Sequence, residues 1–177
     1  MKRSLVLFIS IIFIFSIYSF SEKEEEISVK EIVPFTYCAI SHQGPFTEIQ
    51  NIIQKLMSEI QIQSIIPAGP MIGIYYNSPE NVKPEGLRWE IGFPVAKGVS
   101  IRPPLELKVW NFTMVASGTH IGPYEKIAEI YPKIFDWMKK NNYRIAGPIM
   151  ERYFDNPATT KPEKLRAEVW IPCEKIK

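Results

Sequence analysis

The chain has 177 residues, 46% of them hydrophobic, with 21 basic against 19 acidic side chains. That is an ordinary single-domain length, enough to bury a core. Its basic residues are scattered and form no stripe of the kind that grips a phosphate backbone, so nucleic acid is not an expected partner.

Lys2 and Arg3 followed by the apolar stretch Leu5 to Phe20 and the small-x-small run Ser19-Phe20-Ser21 read as a secretory signal over residues 1–21. The stretch is broken by Ser10 and Ser16 and falls short of the roughly 20 apolar residues that span a bilayer; left uncleaved, it would tether the protein to a membrane. The expected location is therefore periplasmic or secreted. Loss of Lys2 and Arg3 with the signal takes the formal charge from +2 to zero. Residues 22–32, opening on Glu22-Lys23-Glu24-Glu25-Glu26, offer little to bury and read as an acidic tether. The folded domain is expected over 33–177. Cys38 and Cys173, both outside the cytoplasm, are compatible with a disulfide or with two buried thiols.

The domain repeats itself at an offset of 78 residues. His42-Gln43-Gly44-Pro45-Phe46 falls on His120-Ile121-Gly122-Pro123-Tyr124, and Ala68-Gly69-Pro70 falls on Ala146-Gly147-Pro148. Tyr75 meets Tyr153, Lys83-Pro84-Glu85 meets Lys161-Pro162-Glu163, Leu87-Arg88 meets Leu165-Arg166, and Glu90 and Pro94 meet Glu168 and Pro172. A register held by so many Gly, Pro and charged identities implies duplicated units, repeat 1 over about 34–95 and repeat 2 over about 107–173.

In each unit a β-rich segment comes first, Phe35 to Ser41 or Leu107 to Ser117. One long amphipathic helix follows, carried by Phe46, Ile49, Ile52, Ile53, Leu56, Met57 and Ile60, or by Tyr124, Ile127, Ile130, Tyr131, Ile134, Trp137 and Met138, with Gly-Pro at its start. The Ala-Gly-Pro turn then leads into a strand at Met71 to Tyr76 or Ile149 to Phe154, and a proline-punctuated loop leads to a last strand at Leu87 to Phe93 or Leu165 to Ile171. Val99 to Leu105 reads as the connection between units. The fold class is α+β: a tandem β-α-β-β duplication with an antiparallel sheet and both helices on one face.

Period two in the last strand sets Arg166, Glu168 and Trp170 on one face and Ala167, Val169 and Ile171 on the other. A mid-strand carboxylate beside a Trp suggests Glu168 as counter-charge for a cationic guest, with aromatic faces adding roughly 0.5–2 kcal/mol of cation-π attraction; a pair with Arg166 or a solvent-facing position is the bland alternative. Glu90 repeats that position. Tyr131 and Trp137 on the second helix, with Trp170, are the candidate pocket wall. His42 and His120 precede the helix starts at equivalent places and, without a third ligand, suit a turn role better than a metal site. The sequence carries no phosphate-cradling glycine loop, nucleophile elbow or CxxC, and neither a metal nor an organic cofactor is expected.

The duplicated His-x-Gly-Pro-(Phe/Tyr) segment, the Ala-Gly-Pro turn followed by Tyr and Pro, and the closing Glu-x-x-x-Pro strand together resemble the GyrI-like small-molecule-binding family, the effector-binding domain of AraC- and MerR-type multidrug regulators. The resemblance implies two β-α-β-β modules about a pseudo-twofold axis, a ligand cleft between the helices over the sheet, and a central glutamate facing cationic aromatic compounds, which maps onto Glu168. The expected function is that of a stand-alone, exported binding module for a hydrophobic, cationic or aromatic small molecule. Two alternatives are a hydrolase of strained electrophiles, using Glu168 and an aromatic hydroxyl as some family members do, and a structural envelope protein without a ligand.

Overall fold

A computed structural model describes residues 27–176. The secretory signal expected over residues 1–21 and the charged run after it lie outside the described residues. The described residues form nine strands and two α-helices: β1 Ser28–Glu31, β2 Phe35–Gln43, α1 Ile49–Ile62, β3 Met71–Tyr75, β4 Arg88–Pro94, β5 Glu106–Trp110, β6 Met114–Ile121, α2 Tyr131–Lys140, β7 Tyr143–Ile145, β8 Ile149–Tyr153 and β9 Arg166–Lys175. The strands form one antiparallel sheet in the order β1-β6-β9-β8-β3-β4-β2-β5, and β7 pairs with the end of β9.

The duplication is visible in the pairing. β2, β3 and β4 stand to β6, β8 and β9 as the 78-residue offset requires, and the halves join where β3 runs antiparallel to β8. In that ladder Gly73 is paired with Glu151, its own equivalent, so the pseudo-twofold axis passes between these two residues.

The acidic segment does not stay outside the fold as a tether through residue 32. Ser28–Glu31 forms a strand on β6, in the second half, and its equivalent β5 forms a strand on β2, in the first. Each half thus lends its first strand to the other. Alternation explains the difference: Ile27 and Val29 face the second-half core, while Lys30 points to the opposite side of the sheet. The segment read as continuous from Leu107 to Ser117 is broken between Trp110 and Met114, where the chain passes from the first half's edge to the second half.

Both helices lie on one face. Leu56 and Ile60 of α1 bury against Cys38, Ile40, Trp89 and Ile91, and Ile134 and Met138 of α2 against Ala116, Ala167, Val169 and Ile171. Gly118 lets α2 sit close, since a Cβ there would lie 2.8 Å from the Ile130 Cδ1. The second helix is shorter than the sequence pattern suggests. Tyr124–Ile130 winds as a 3₁₀ segment, and the α-helix begins only at Tyr131, because Pro132 has no N–H to donate back to the preceding turn. The helix-free face is closed by the protein's own rings: Tyr37, Trp110 and Trp170 with Ile72, Ile74 and Met150, flanked by Phe35 and Phe112. Cys38 and Cys173 are buried free thiols in separate core clusters.

A chain starting at Val33 lacks β1 and its two apolar anchors. Thermal melting should show a Tm lower by roughly 5–10 °C, reflecting about 2–3 kcal/mol of lost burial and pairing. An unchanged Tm would mean that the segment is a mere tether after all.

Candidate functional site

On the helix face, at the pseudo-twofold axis, stands a carboxylate that the duplicated pattern does not contain. Glu151 is only 5% exposed, and among the described residues no lysine or arginine pairs with it. Its partners are hydroxyls. Tyr131, from the first turn of α2, donates to one carboxylate oxygen, and Tyr153, two residues along β8, donates to the other. The Tyr153 hydroxyl in turn lies 3.0 Å from that of Tyr75 on β3. Tyr75, Tyr131 and Tyr153 are each half-buried, and the cluster lies along the seam between the two helix-side cores with its hydroxyls turned in on Glu151.

The repeat motifs hold these rings. Phe46 and Tyr124, the aromatic residues just after Gly-Pro in each half, pack edge-on against Tyr75 and Tyr153 with centroids 5.6 and 5.1 Å apart. Gly73 leaves the space that Tyr75 uses, because a Cβ there would lie 2.8 Å from the Tyr75 hydroxyl. The histidines act in the turns: His120 Nε2 lies 3.0 Å from the Pro123 carbonyl oxygen and His42 Nε2 2.5 Å from Glu48.

Burial raises the Glu151 carboxyl above its ordinary pKa, although the hydroxyls of Tyr131, Tyr153 and Tyr75 and the His120 imidazole pull the other way. Burial, together with the charge of Glu151, pushes the Tyr75, Tyr131 and Tyr153 phenols up, so they remain donors at any ordinary pH. The arrangement is a dry carboxyl held by neutral donors under an aromatic rim. Such a group can balance an incoming positive charge or exchange a proton.

The residues that the sequence singled out divide between the two faces. Tyr131 is at the seam. Trp137 is not: it stacks on Tyr143 with centroids 5.9 Å apart, and six residues carry it about 240° around the helix from Tyr131. Glu168, Trp170 and Glu90 lie on the helix-free face, because Ala167, Val169 and Ile171 are the β9 residues beneath α2. The central carboxylate under the helices, expected at Glu168, is therefore Glu151.

Glu168 is buried but provided for by its own chain. Lys30 binds one oxygen, where Ser117 also donates at 2.8 Å, and Arg152 Nη1 binds the other at 2.7 Å. The same guanidinium lies 4.1 Å from the centroid of the Trp170 ring. The cation, the counter-charge and the aromatic face expected for a guest are thus all supplied internally, by Arg152 rather than by Arg166. Burial would raise the Glu168 carboxyl, but the hydrogen bonds from Lys30 and Ser117 outweigh it and hold the carboxyl below its usual value. Glu90 is the symmetric counterpart. It pairs with Lys108 at 2.5 Å, the equivalent of Lys30, and accepts from Tyr76 at 2.8 Å and Tyr37 at 3.1 Å.

Sequence reasoning missed Glu151 because it followed identities between the repeats. The signal lay in a mismatch: Ile149, Glu151 and Tyr153 share a strand face, and the offset places Glu151 on Gly73. Among the described residues no group of acidic, histidine and cysteine side chains has the geometry to hold a metal ion.

Comparison with known proteins agrees with this architecture. The chain matches the GyrI-like small molecule binding domain over residues 25–174 and belongs to that family. No curated protein matches it. Among solved structures, it resembles the C-terminal domain of EcmrR at 17% identity, covering 86% of this chain and 99% of that one with a TM-score of 0.73. A hydrolase from Listeria innocua is similar at 11% identity, with 85% and 92% of the two chains covered and a TM-score of 0.63. SAV2435, solved bound to tetraphenylphosphonium, is similar at 13% identity, with 84% and 94% covered and a TM-score of 0.59. At these identities the shared feature is the fold.

The two carboxyls should respond to pH with opposite signs. The raised folded-state pKa of Glu151 makes its contribution to stability fall as pH rises from the ordinary carboxyl range through the folded value, so Glu151→Gln should raise Tm at about pH 7 and lose that advantage on the acid side. The lowered pKa of Glu168 contributes stability above its unfolded value that is lost as pH falls through the folded one. Glu168→Gln should therefore cost on the order of 2–4 kcal/mol near neutrality and progressively less in acid. Calorimetric melts of both variants across pH give the comparison.

Proposed function

We propose that this domain binds a hydrophobic, cationic aromatic small molecule at the seam between its halves, with Glu151 as the counter-charge and Tyr75, Tyr131 and Tyr153 as the aromatic rim. One observation carries the reading: among the described residues Glu151 is the buried carboxylate with no lysine or arginine partner, whereas Glu90 and Glu168 each have a lysine. An unpaired charge in a dry site is costly, and a guest cation recovers that cost while the ring faces add their own attraction. The fold shared with a protein solved around tetraphenylphosphonium supports the same ligand class. The residues expected from the sequence on the other face, Glu168, Trp170 and Glu90, contribute to the sheet that carries the site rather than to its lining.

The domain acts, in this proposal, outside the cytoplasm as a receptor or sequestering module, a location that the signal-like residues 1–21 support. Cell fractionation in its own host tests that part; a cytoplasmic pool with an intact N-terminus argues against it.

Isothermal titration with tetraphenylphosphonium tests the site. Binding should weaken about 10–100-fold in Glu151→Gln and stay within about twofold in Trp137→Phe. Equal affinity of wild type and Glu151→Gln would remove the counter-charge role.

A second reading is favoured by the raised pKa of Glu151 beside two phenol donors, an arrangement suited to general acid–base work on a strained electrophile. Product formed from a cyclopropane-bearing substrate and abolished in Glu151→Gln would establish it. Stoichiometric binding without product excludes it for that compound.

A further inference from the structure

Three hydroxyls and one carboxyl form a continuous chain across the pseudo-twofold axis. Tyr131 and Tyr153 each donate to one oxygen of Glu151, and the Tyr153 and Tyr75 hydroxyls are 3.0 Å apart. A carboxylate has no proton to donate, so with Glu151 ionised the Tyr153 proton points at it and Tyr153 accepts from Tyr75. The donors then run inward, Tyr75 to Tyr153 to Glu151, and the Tyr75 hydroxyl has no proton left to offer outside the chain of hydrogen bonds.

A neutral Glu151 carries one proton that must itself find an acceptor. The Tyr153 oxygen can take it, because the Tyr153 proton has the Tyr75 oxygen to turn to. Among the described residues Tyr131 has no such second acceptor beyond Glu151. Reversal along this line frees the Tyr75 proton to leave the chain. One proton, taken from or returned to solvent at Glu151, thus flips the polarity of a hydroxyl in the opposite half of the molecule.

The geometry points to Tyr75 as a specificity-determining residue: with Glu151 ionised the seam takes a cation, and with Glu151 neutral the Tyr75 O–H is offered to an uncharged hydrogen-bond acceptor. This rests on the ligand-site reading above and adds a second ligand class with the opposite pH dependence. The titratable groups facing Glu151 are Tyr131 from α2, Tyr153 from β8, Tyr75 from β3 and His120 from β6. The phenols stay protonated. Burial raises the carboxyl, so its neutral form persists at a pH where a free glutamate is ionised.

Two ligands of nearly one shape separate the states: methyltriphenylphosphonium, a cation, and triphenylphosphine oxide, a neutral acceptor. Titration calorimetry from about pH 5 to 8 should show phosphonium affinity rising by up to about tenfold per pH unit and oxide affinity falling over the same interval. Glu151→Gln should flatten the pH dependence of the oxide. Tyr75→Phe, which keeps the ring, should weaken the oxide about five- to tenfold at the acid end and far less at the alkaline end. An oxide indifferent to both pH and Tyr75→Phe, beside a phosphonium that binds as expected, overturns the relay alone. No phosphonium binding at any pH overturns the ligand-site reading and the relay with it.

Discussion

The antiparallel pairing of β3 with β8 on the pseudo-twofold axis constrains everything around it. A residue at the crossing faces its own repeat equivalent, as Gly73 faces Glu151, and directly opposed side chains in such a ladder have Cβ atoms about 4.5–5.5 Å apart. Two glutamates there would repel each other, and the second would also occupy the space that the Tyr75 ring uses. The crossing therefore holds one carboxylate or none, and a symmetric scaffold acquires a single-charge site only by breaking its symmetry at that place.

The features that do obey the symmetry hold the molecule together. Each half lends its first strand to the other, and on that strand a lysine, Lys30 or Lys108, reaches the glutamate of the closing strand, Glu168 or Glu90. These ion pairs lie on the helix-free face and fasten the exchanged strands two positions into the sheet. The second half adds Arg152 between Glu168 and the Trp170 ring, where the first half has Ile74 and Gly92 and uses the hydroxyls of Tyr37 and Tyr76 instead. Equivalent positions are solved by different chemistry, but both buried carboxylates described on that face, Glu90 and Glu168, have a cation.

On the helix face the helix-start motif has a role beyond beginning a helix. The ring after Gly-Pro packs edge-on against the tyrosine at the end of the middle strand, fixing Tyr75 and Tyr153 at hydrogen-bonding distance from each other. The symmetric framework thus presents a matched pair of phenols to one unmatched carboxyl. Membership of a small-molecule-binding family accords with that layout: rigid strands carry the polar floor, and the two helices, each packed on its own half, flank it.

The sequence by itself determined the duplication, the β-α-β-β order, the helices on one face and the alternation within β9, because periodicity and a fixed offset are local properties of the chain. It also singled out Tyr131, which the fold places beside Glu151. The strand exchange escaped it, since which edge a short strand joins depends on partners far along the chain, and Ser28–Glu31 reads as polar until β6 lies beside it. Which of Glu168 and Glu151 lies on the helix face was likewise decided only by tertiary structure. Alternation sorts β9 into two faces but gives no sign of which face the helix covers, and here both faces are buried. Glu168, identical in both repeats, pairs with Lys30 and Arg152 of its own chain on the helix-free face; the carboxylate on the axis faces Gly73, 78 residues away, which the fold sets directly opposite.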